Sequence, residues 1–337
     1  MYPQADIFTL FYEPDRVSPL IRGHRVTASF LNPLRRFHRA LLPAMPIALE
    51  HFDLRGYDLV ISSESGPAKG VLVSAAARHV SYVHSPMRYL WELYPNHFNE
   101  WAGPAQRLAM GPIAGYLRQW DHNTAARVDT FIANSENTRR RIFRAWGRES
   151  LVVYPPVDVH SCFHRPAEDY LLMVGEFVRY KRMDHAVAAC TRLGLRLKLV
   201  GNGPEYRRLR SLAGPTVEFC GRLNDAELRE LFARCTAYLV PGEEDFGITT
   251  VEVIASGKPV IGLNRGGTPE IIGSAGPEGA LYEDASAEAL AATLKRFLRT
   301  ATNSCQKDLQ ARARIFSAER FSDAVQDITE GRSLVTR

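Results

Sequence analysis

A-Y-L-V-P-G-E-E-D-F-G-I-T-T-V-E-V, Ala237 to Val253, carries three signals in one short stretch. Ala237–Val240 is continuously apolar, as a strand buried on both faces must be. Gly242 and Gly247 bracket a loop, and Gly247 can take the positive φ that exposes neighbouring N–H groups. From Ile248 or Thr249 to Ala255 the pattern reads as a helix. Strand, glycine loop and helix together make a unit of a parallel sheet. The stretch also holds two carboxylates, Glu244 in the loop and Glu252 on the helix, and such a pair raises the question of acid–base chemistry.

The same alternation runs along the chain. Candidate strands are Asp6–Tyr12, Tyr57–Ser62, His79–Val83, Thr130–Ala133 and Leu151–Tyr154. A second set is Tyr170–Val174, Leu195–Val200, Thr216–Cys220, Ala237–Val240, Pro259–Leu263 and Ala280–Tyr282. Helical patterns fall between them, among them Arg182–Leu193, Pro204–Ala213, Asp225–Cys235 and Ala287–Leu298. The fold class is therefore α/β, with two doubly wound domains. The proline-rich stretch Tyr154–Asp169 has no periodicity and reads as the seam. The expected division is residues 1–154, a linker 155–169, a second domain 170–315, and a terminal segment 316–337. Ser317 would cap the last helix.

The 337 residues suffice for two cores. Lys and Arg exceed Asp and Glu by 42 − 37 = 5, a mild excess that suits an anionic ligand or surface. Dispersed basic residues without a recognition module argue against nucleic acid. Five cysteines without a CxxC pair favour a reducing compartment over disulfides or zinc. No apolar stretch is long enough to span a bilayer, and the N-terminus is not a signal peptide. A cytoplasmic location follows as the expectation.

Several further stretches sit where ligands bind in such folds, at the carboxyl ends of strands. V-G-E-F-V-R-Y-K-R-M-D (Val174–Asp184) places Arg179, Lys181 and Arg182 after a strand, as a diphosphate site or a solvated basic turn would. V-G-N-G-P-E (Val200–Glu205) puts Gly201 and Gly203 before a helix; it is a ligand-facing turn or simply a tight one, and it lacks the third glycine of a dinucleotide fingerprint. H-S-P-M-R-Y (His84–Tyr89) follows a strand directly, and a lone histidine there is more often structural. G-G-T-P-E-I-I (Gly266–Ile272) repeats the glycine turn, with Glu270 near a helix start. On spacing alone, Glu252 is best read as complementing the helix dipole.

As a set, with V-V-Y-P-P-V-D-V and F-I-A-N-S-E-N-T (Phe131–Thr138), these motifs resemble the retaining glycosyltransferases of family 4, which have the GT-B fold. H-S-P-M-R-Y-L-W-E-L-Y and E-E-D-F-G-I are most similar to the branch with bacterial mannosyltransferases of O-antigen and exopolysaccharide assembly. The resemblance implies two Rossmann-like domains facing a cleft, with the last helix returning to the first. It implies transfer of a hexose, mannose from GDP-mannose, to a glycan or lipid-linked acceptor, without an essential metal. By the same resemblance Glu252 binds the ribose, and Glu244 the donor sugar with the amides of Phe246, Gly247 and Ile248. Lys181 holds the diphosphate, Gly201 and Gly203 lie beside the nucleotide, and His84 contacts the transferred sugar.

Two departures from the family pattern stand out. Glu176 occupies a position where the family has arginine, leaving Arg179 or Arg182 to supply the second cation. Tyr2–Tyr12 resembles a segment that in the family follows the first strand, its glycine-rich loop and the first helix, so the first domain is expected to lack those elements. Nucleotide-sugar binding without transfer, and a GT-B epimerase or hydrolase, are the competing readings. Finally, Leu31–Leu49 mixes Arg35, Arg36 and Arg39 with apolar residues. It reads either as a contact with the inner leaflet of a membrane or as a helix with its arginines in solvent.

Overall fold

The apolar run Ala237–Val240 lies inside a six-stranded parallel sheet in a computed structural model, which describes residues 1–94, 104–273, 279–300 and 306–332. Two units emerge: Met1–Val153 with the chain from Val325 onward, and Tyr154–Ala324.

In the first unit, β1 (Ile7–Thr9) and β2 (Val26–Ala28) form a parallel pair. β3 (Leu59–Glu64), β4 (Arg78–Val83), β5 (Thr130–Ala133) and β6 (Leu151–Val152) form a parallel sheet in chain order. Its helices are α1 (Pro19–Arg22), α2 (Met45–Glu50), α3 (Pro104–Thr124) and α4 (Glu136–Trp146). The sequence reading missed β2, whose V-T-A core is too short to show a period. It also extended the first strand to Asp6–Tyr12, whereas pairing stops at Thr9.

Leu31–Leu49 is not one helix. Asn32–Phe37 and Leu42–Ala44 are 3₁₀ turns that precede α2, and each of the three elements has a proline in its first turn. Proline fits a helix start and interrupts a helix interior, which explains the segmentation. Leu31 and Met45 point into the core, while Leu34 and Phe37 are 47% and 51% exposed. Arg36 stacks on the Phe37 ring at 4.6 Å.

The second unit runs β7 (Leu171–Val174), α5 (Met183–Leu193), β8 (Leu197–Val200), α6 (Tyr206–Leu212), β9 (Val217–Gly221), α7 (Asp225–Arg234), β10 (Ala237–Val240), α8 (Ile248–Ala255), β11 (Val260–Leu263), α9 (Thr268–Ile272) and β12 (Gly279–Tyr282). Then follow α10 (Ala287–Thr300), α11 (Gln306–Ala313) and α12 (Ala318–Thr329), whose residues from Val325 on count with the first unit; α12 begins after Ser317, whose hydroxyl accepts from the Arg320 N–H. The spatial order β9-β8-β7-β10-β11-β12 is the 3-2-1-4-5-6 arrangement of a doubly wound sheet. Alternate residues of each strand feed opposite cores. Ala237 and Leu239 pack with α5, while Tyr238 and Val240 pack with α8. This two-sided burial is why the strands read as unbroken apolar runs.

Tyr154–Asp169 belongs to this unit and is well packed. Tyr154 stacks on Phe246, Val157 bridges to Ser317, and the Arg165 N–H donates to the Ala233 carbonyl. The four described cysteines are free, and Cys305 lies outside the described residues. Among the described residues no helix is long and apolar enough to cross a membrane.

Beneath the end of β3 the first unit buries an ionic network. Lys69 and Asp121 form an ion pair with no solvent exposure. Glu64 accepts from the Lys69 backbone N–H at 2.8 Å through one oxygen, and its other oxygen has no hydrogen-bond partner among the described residues. Burial pushes the Glu64 carboxyl up to about 7, against the pull of the Lys69 ammonium. Because this folded pKa lies above the unfolded value of 4.5, the stability from holding the proton is complete below pH 4.5 and lost as pH rises through about 7. Stability should fall by up to about 3 kcal/mol across that window. Glu64→Gln should flatten the dependence, and urea titrations of both proteins from pH 5 to 8 measure it. Parallel pH profiles would contradict the assignment.

Candidate functional site

β7 and β10 are adjacent in space, yet their chains depart to opposite sides, β7 toward β8 and β10 toward β11. This is the switch point at which doubly wound sheets open a crevice for ligands. Two loops meet there, Gly175–Arg182 after β7 and Pro241–Gly247 after β10. Their approach requires glycine at 242, where a Cβ would lie 2.5 Å from the Tyr180 carbonyl oxygen and 2.6 Å from Lys181 Cα.

The loop after β7 is anchored by Phe177. Its ring is fully buried, its N–H donates to the Asn202 carbonyl, and its carbonyl accepts from the Glu205 N–H, both at 3.0 Å. The V-G-N-G turn therefore lies directly on this loop; Cβ atoms at Gly201 and Gly203 would strike Gly175 and Phe177 backbone. Thus positioned, Lys181 Nζ stands 3.1 Å from Glu244 Oε1, with the two side chains 18% and 25% exposed. The residues read as diphosphate and sugar ligands are in direct contact.

Arg179 reaches Glu205 at 3.4 Å, and Arg182 reaches Asp184 at 3.3 Å with its guanidinium also on His185. Arg208 ties Glu205 to Asp184. The sequence reading missed these acidic partners, since only the fold brings α5, α6 and the loop together. Glu176 is exposed.

Phe246 is buried, its ring packed on Tyr154 and Phe316, and so fixes the far end of the second loop. Gly247 follows with φ +112°, a conformation that turns the chain into α8. The amides of Phe246, Gly247 and Ile248 have no acceptor among the described residues, as expected of a helix start. The Gly266–Gly267 turn braces this loop, with the Gly267 N–H donating to the Glu244 carbonyl at 2.9 Å.

Glu252 is the fifth residue of the eight in α8. It sits beyond the first turn, so complementing the helix dipole does not account for it, contrary to the reading from spacing. It shares the less buried face of α8 with Ile248 and Thr249. Burial holds its carboxyl above the ordinary range, offset by Arg229 and reinforced by Asp225 and Asp158. Arg229 and Asp158 carry no sequence signal for this role.

In the first unit, His84 directly follows β4. Its N–H donates to the Glu64 carbonyl at 2.8 Å, and its Nε2 shares a hydrogen bond with Ser63 Oγ at 3.0 Å. The ring lies edge-on to Tyr82, and Thr138 Oγ1 donates to the His84 carbonyl. The N-S-E-N-T element explains that last contact. Ser135 caps α4 by accepting from the Thr138 N–H, which fixes Thr138 in place. His84 is exposed and held in one orientation. Among the described residues no group of three His, Cys, Asp or Glu side chains could hold a metal ion.

The model of "Glycosyltransferase Family 4" matches residues 4–161, and that of "Glycosyl transferases group 1" matches residues 163–315. A GDP-mannose-dependent alpha-mannosyltransferase of Mycolicibacterium smegmatis is 25% identical over 283 residues, 77% of this chain and 69% of that protein. The O-antigen chain mannosyltransferase C of Escherichia coli is 25% identical over 221 residues, 59% of this chain and 60% of that protein. Across these and further relatives the match spans 16% to 69% of the relative's own length. Among solved structures, Anabaena HepE in complex with UDP-glucose superposes with a TM-score of 0.68 at 16% identity, covering 97% of this chain and 99% of that one. With two parallel-sheet units and both domain models matched in order, the chain belongs to glycosyltransferase family 4 and has the GT-B fold.

Proposed function

We infer that this chain is a retaining glycosyltransferase that moves mannose from GDP-mannose to a glycan or lipid-linked acceptor in cell-surface polysaccharide synthesis. The observation that carries the reading is the Lys181–Glu244 pair at the switch point, beside the unpartnered amides that open α8. A cation and a helix start suit a diphosphate, and a carboxylate suits sugar hydroxyls. Glu252 is the ribose ligand in this reading, and His84 the histidine that contacts the transferred sugar. The two carboxylates then act on different parts of one donor, unlike a glycosidase pair flanking a single bond. Lys181 and the amides meet the departing charge, so no resident metal enters the proposal. The names of the mannosyltransferase relatives support the sugar, and the UDP-glucose bound by HepE supports a nucleotide-sugar donor in general.

A thermal-shift series with GDP, GDP-mannose, UDP and UDP-glucose tests the donor, since a ligand of the native state raises its apparent stability. GDP-mannose should give the largest shift. Stabilisation by UDP-sugars alone would overturn the mannose assignment. Labelled GDP-mannose with a lipid extract tests transfer, and binding without turnover would favour a nucleotide-sugar-binding protein.

The exposed Leu34 and Phe37 beside Arg35, Arg36 and Arg39 are proposed to touch the inner leaflet. An Arg35/Arg36/Arg39→Glu variant should lose co-sedimentation with anionic liposomes. Equal binding by variant and parent would sink that part.

A further inference from the structure

The Lys181–Glu244 ion pair fills the place that the donor reading assigns to a diphosphate and a sugar. Both partners sit on braced backbone. Gly242 packs so closely on the Lys181 backbone that a Cβ there would lie 2.6 Å from Lys181 Cα, and the Glu244 carbonyl accepts from the Gly267 N–H. Side-chain rotation is therefore enough to exchange the pair.

We propose that Glu244 is an internal competitor for Lys181 that discriminates a sugar-bearing nucleotide from a bare nucleoside diphosphate. The proposal rests on the donor reading above. A nucleoside diphosphate must take Lys181 away from Glu244 and leave a carboxylate beside a new anion, with no donor to satisfy it. Like charges at that range oppose binding. A nucleotide sugar brings the same diphosphate, and its hydroxyls can donate to the displaced carboxylate, which accepts several hydrogen bonds. Once the sugar has left, Glu244 returns to Lys181 and speeds release of the spent nucleotide. Its role is thus specificity and turnover as well as contact.

Isothermal titration of the full chain with GDP, GDP-mannose, UDP and UDP-glucose tests this. In Glu244→Gln the affinity for the bare diphosphate should rise about three- to tenfold, the scale of a partly buried charged pair. The preference for the sugar nucleotide over the bare one should shrink by at least as much. In a Lys181→Met background the same substitution should tighten diphosphate binding by clearly less, because the competition for Lys181 is gone and only the like-charge part remains. Glu244→Asp, with a retracted carboxylate, should fall between. Unchanged or weaker diphosphate binding by Glu244→Gln, while the parent binds a nucleotide sugar, overturns the competitor role and leaves the donor reading standing. Tightening as large without Lys181 as with it also overturns it. Failure of the parent to bind any of the four nucleotides removes the donor reading, and the competitor role with it.

Discussion

Asp121→Ala is expected to cost about 3–5 kcal/mol of stability, the range for breaking a buried ion pair from one side. Asp121 is fully buried. One oxygen takes the Lys69 ammonium, and the other accepts from the Trp91 and Trp146 indole N–H groups at 2.8 Å each. Alanine removes all three contacts and leaves an ammonium with no exposure to water. The Trp146 ring, 4.2 Å away, recovers part of the loss, because a desolvated cation–π contact is worth roughly 2 kcal/mol. That is less than the pair and the two indole bonds together, so the net effect remains large. Urea unfolding read by tryptophan fluorescence should show it, with Tm falling by about 10 °C. Lys69→Met added to Asp121→Leu should recover most of the loss, since apolar replacement of a buried pair is often neutral. A cost below about 1 kcal/mol for Asp121→Ala would place the pair in the surface class and refute the argument. The network also bears on function, because it packs under the end of β3, where Ser63 and Glu64 orient His84.

That network was not legible in the sequence. Lys69 and Asp121 stand far apart in the chain, and nothing in the composition near either announces a partner. What was legible followed local periodicity. Thr130–Ala133 and Ala237–Val240 were bounded correctly because each is a strand buried on both faces. β2 was missed because three residues cannot display a period, and Tyr154–Asp169 read as an inter-domain linker because its prolines leave it little regular structure beyond the turn Val159–Ser161. The candidate-site stretches were legible as loops at strand ends, yet not as contacts. The pairing of Lys181 with Glu244 depends on β7 lying beside β10, a fact of strand order that no local pattern contains. Glu252 shows the converse. Spacing favoured a dipole role, and its position past the first turn of α8 removed that role.

Lys181→Met is the substitution with the largest expected effect on activity, a loss of about 10²–10³-fold in kcat/KM for donor turnover. Lys181 is the cation that the fold delivers to the switch point with its side chain turned to the site. Arg179 and Arg182 cannot replace it without leaving Glu205 and Asp184. Methionine keeps the length and the apolar stem, so the packing of the loop on Gly242 is preserved while the charge is removed. Stability should therefore change by no more than about 1 kcal/mol, as expected for a partly exposed pair. Lys181→Arg should rescue little, because a Cβ at Gly175 would already lie 2.9 Å from Lys181 Nζ and a guanidinium is broader than an ammonium. Release of labelled sugar from the donor, followed beside a thermal melt, separates the two effects. If turnover survives within about threefold while the protein stays folded, charge at Lys181 contributes less than 1 kcal/mol to the transition state. The diphosphate would then have to be held by the α8 amides alone.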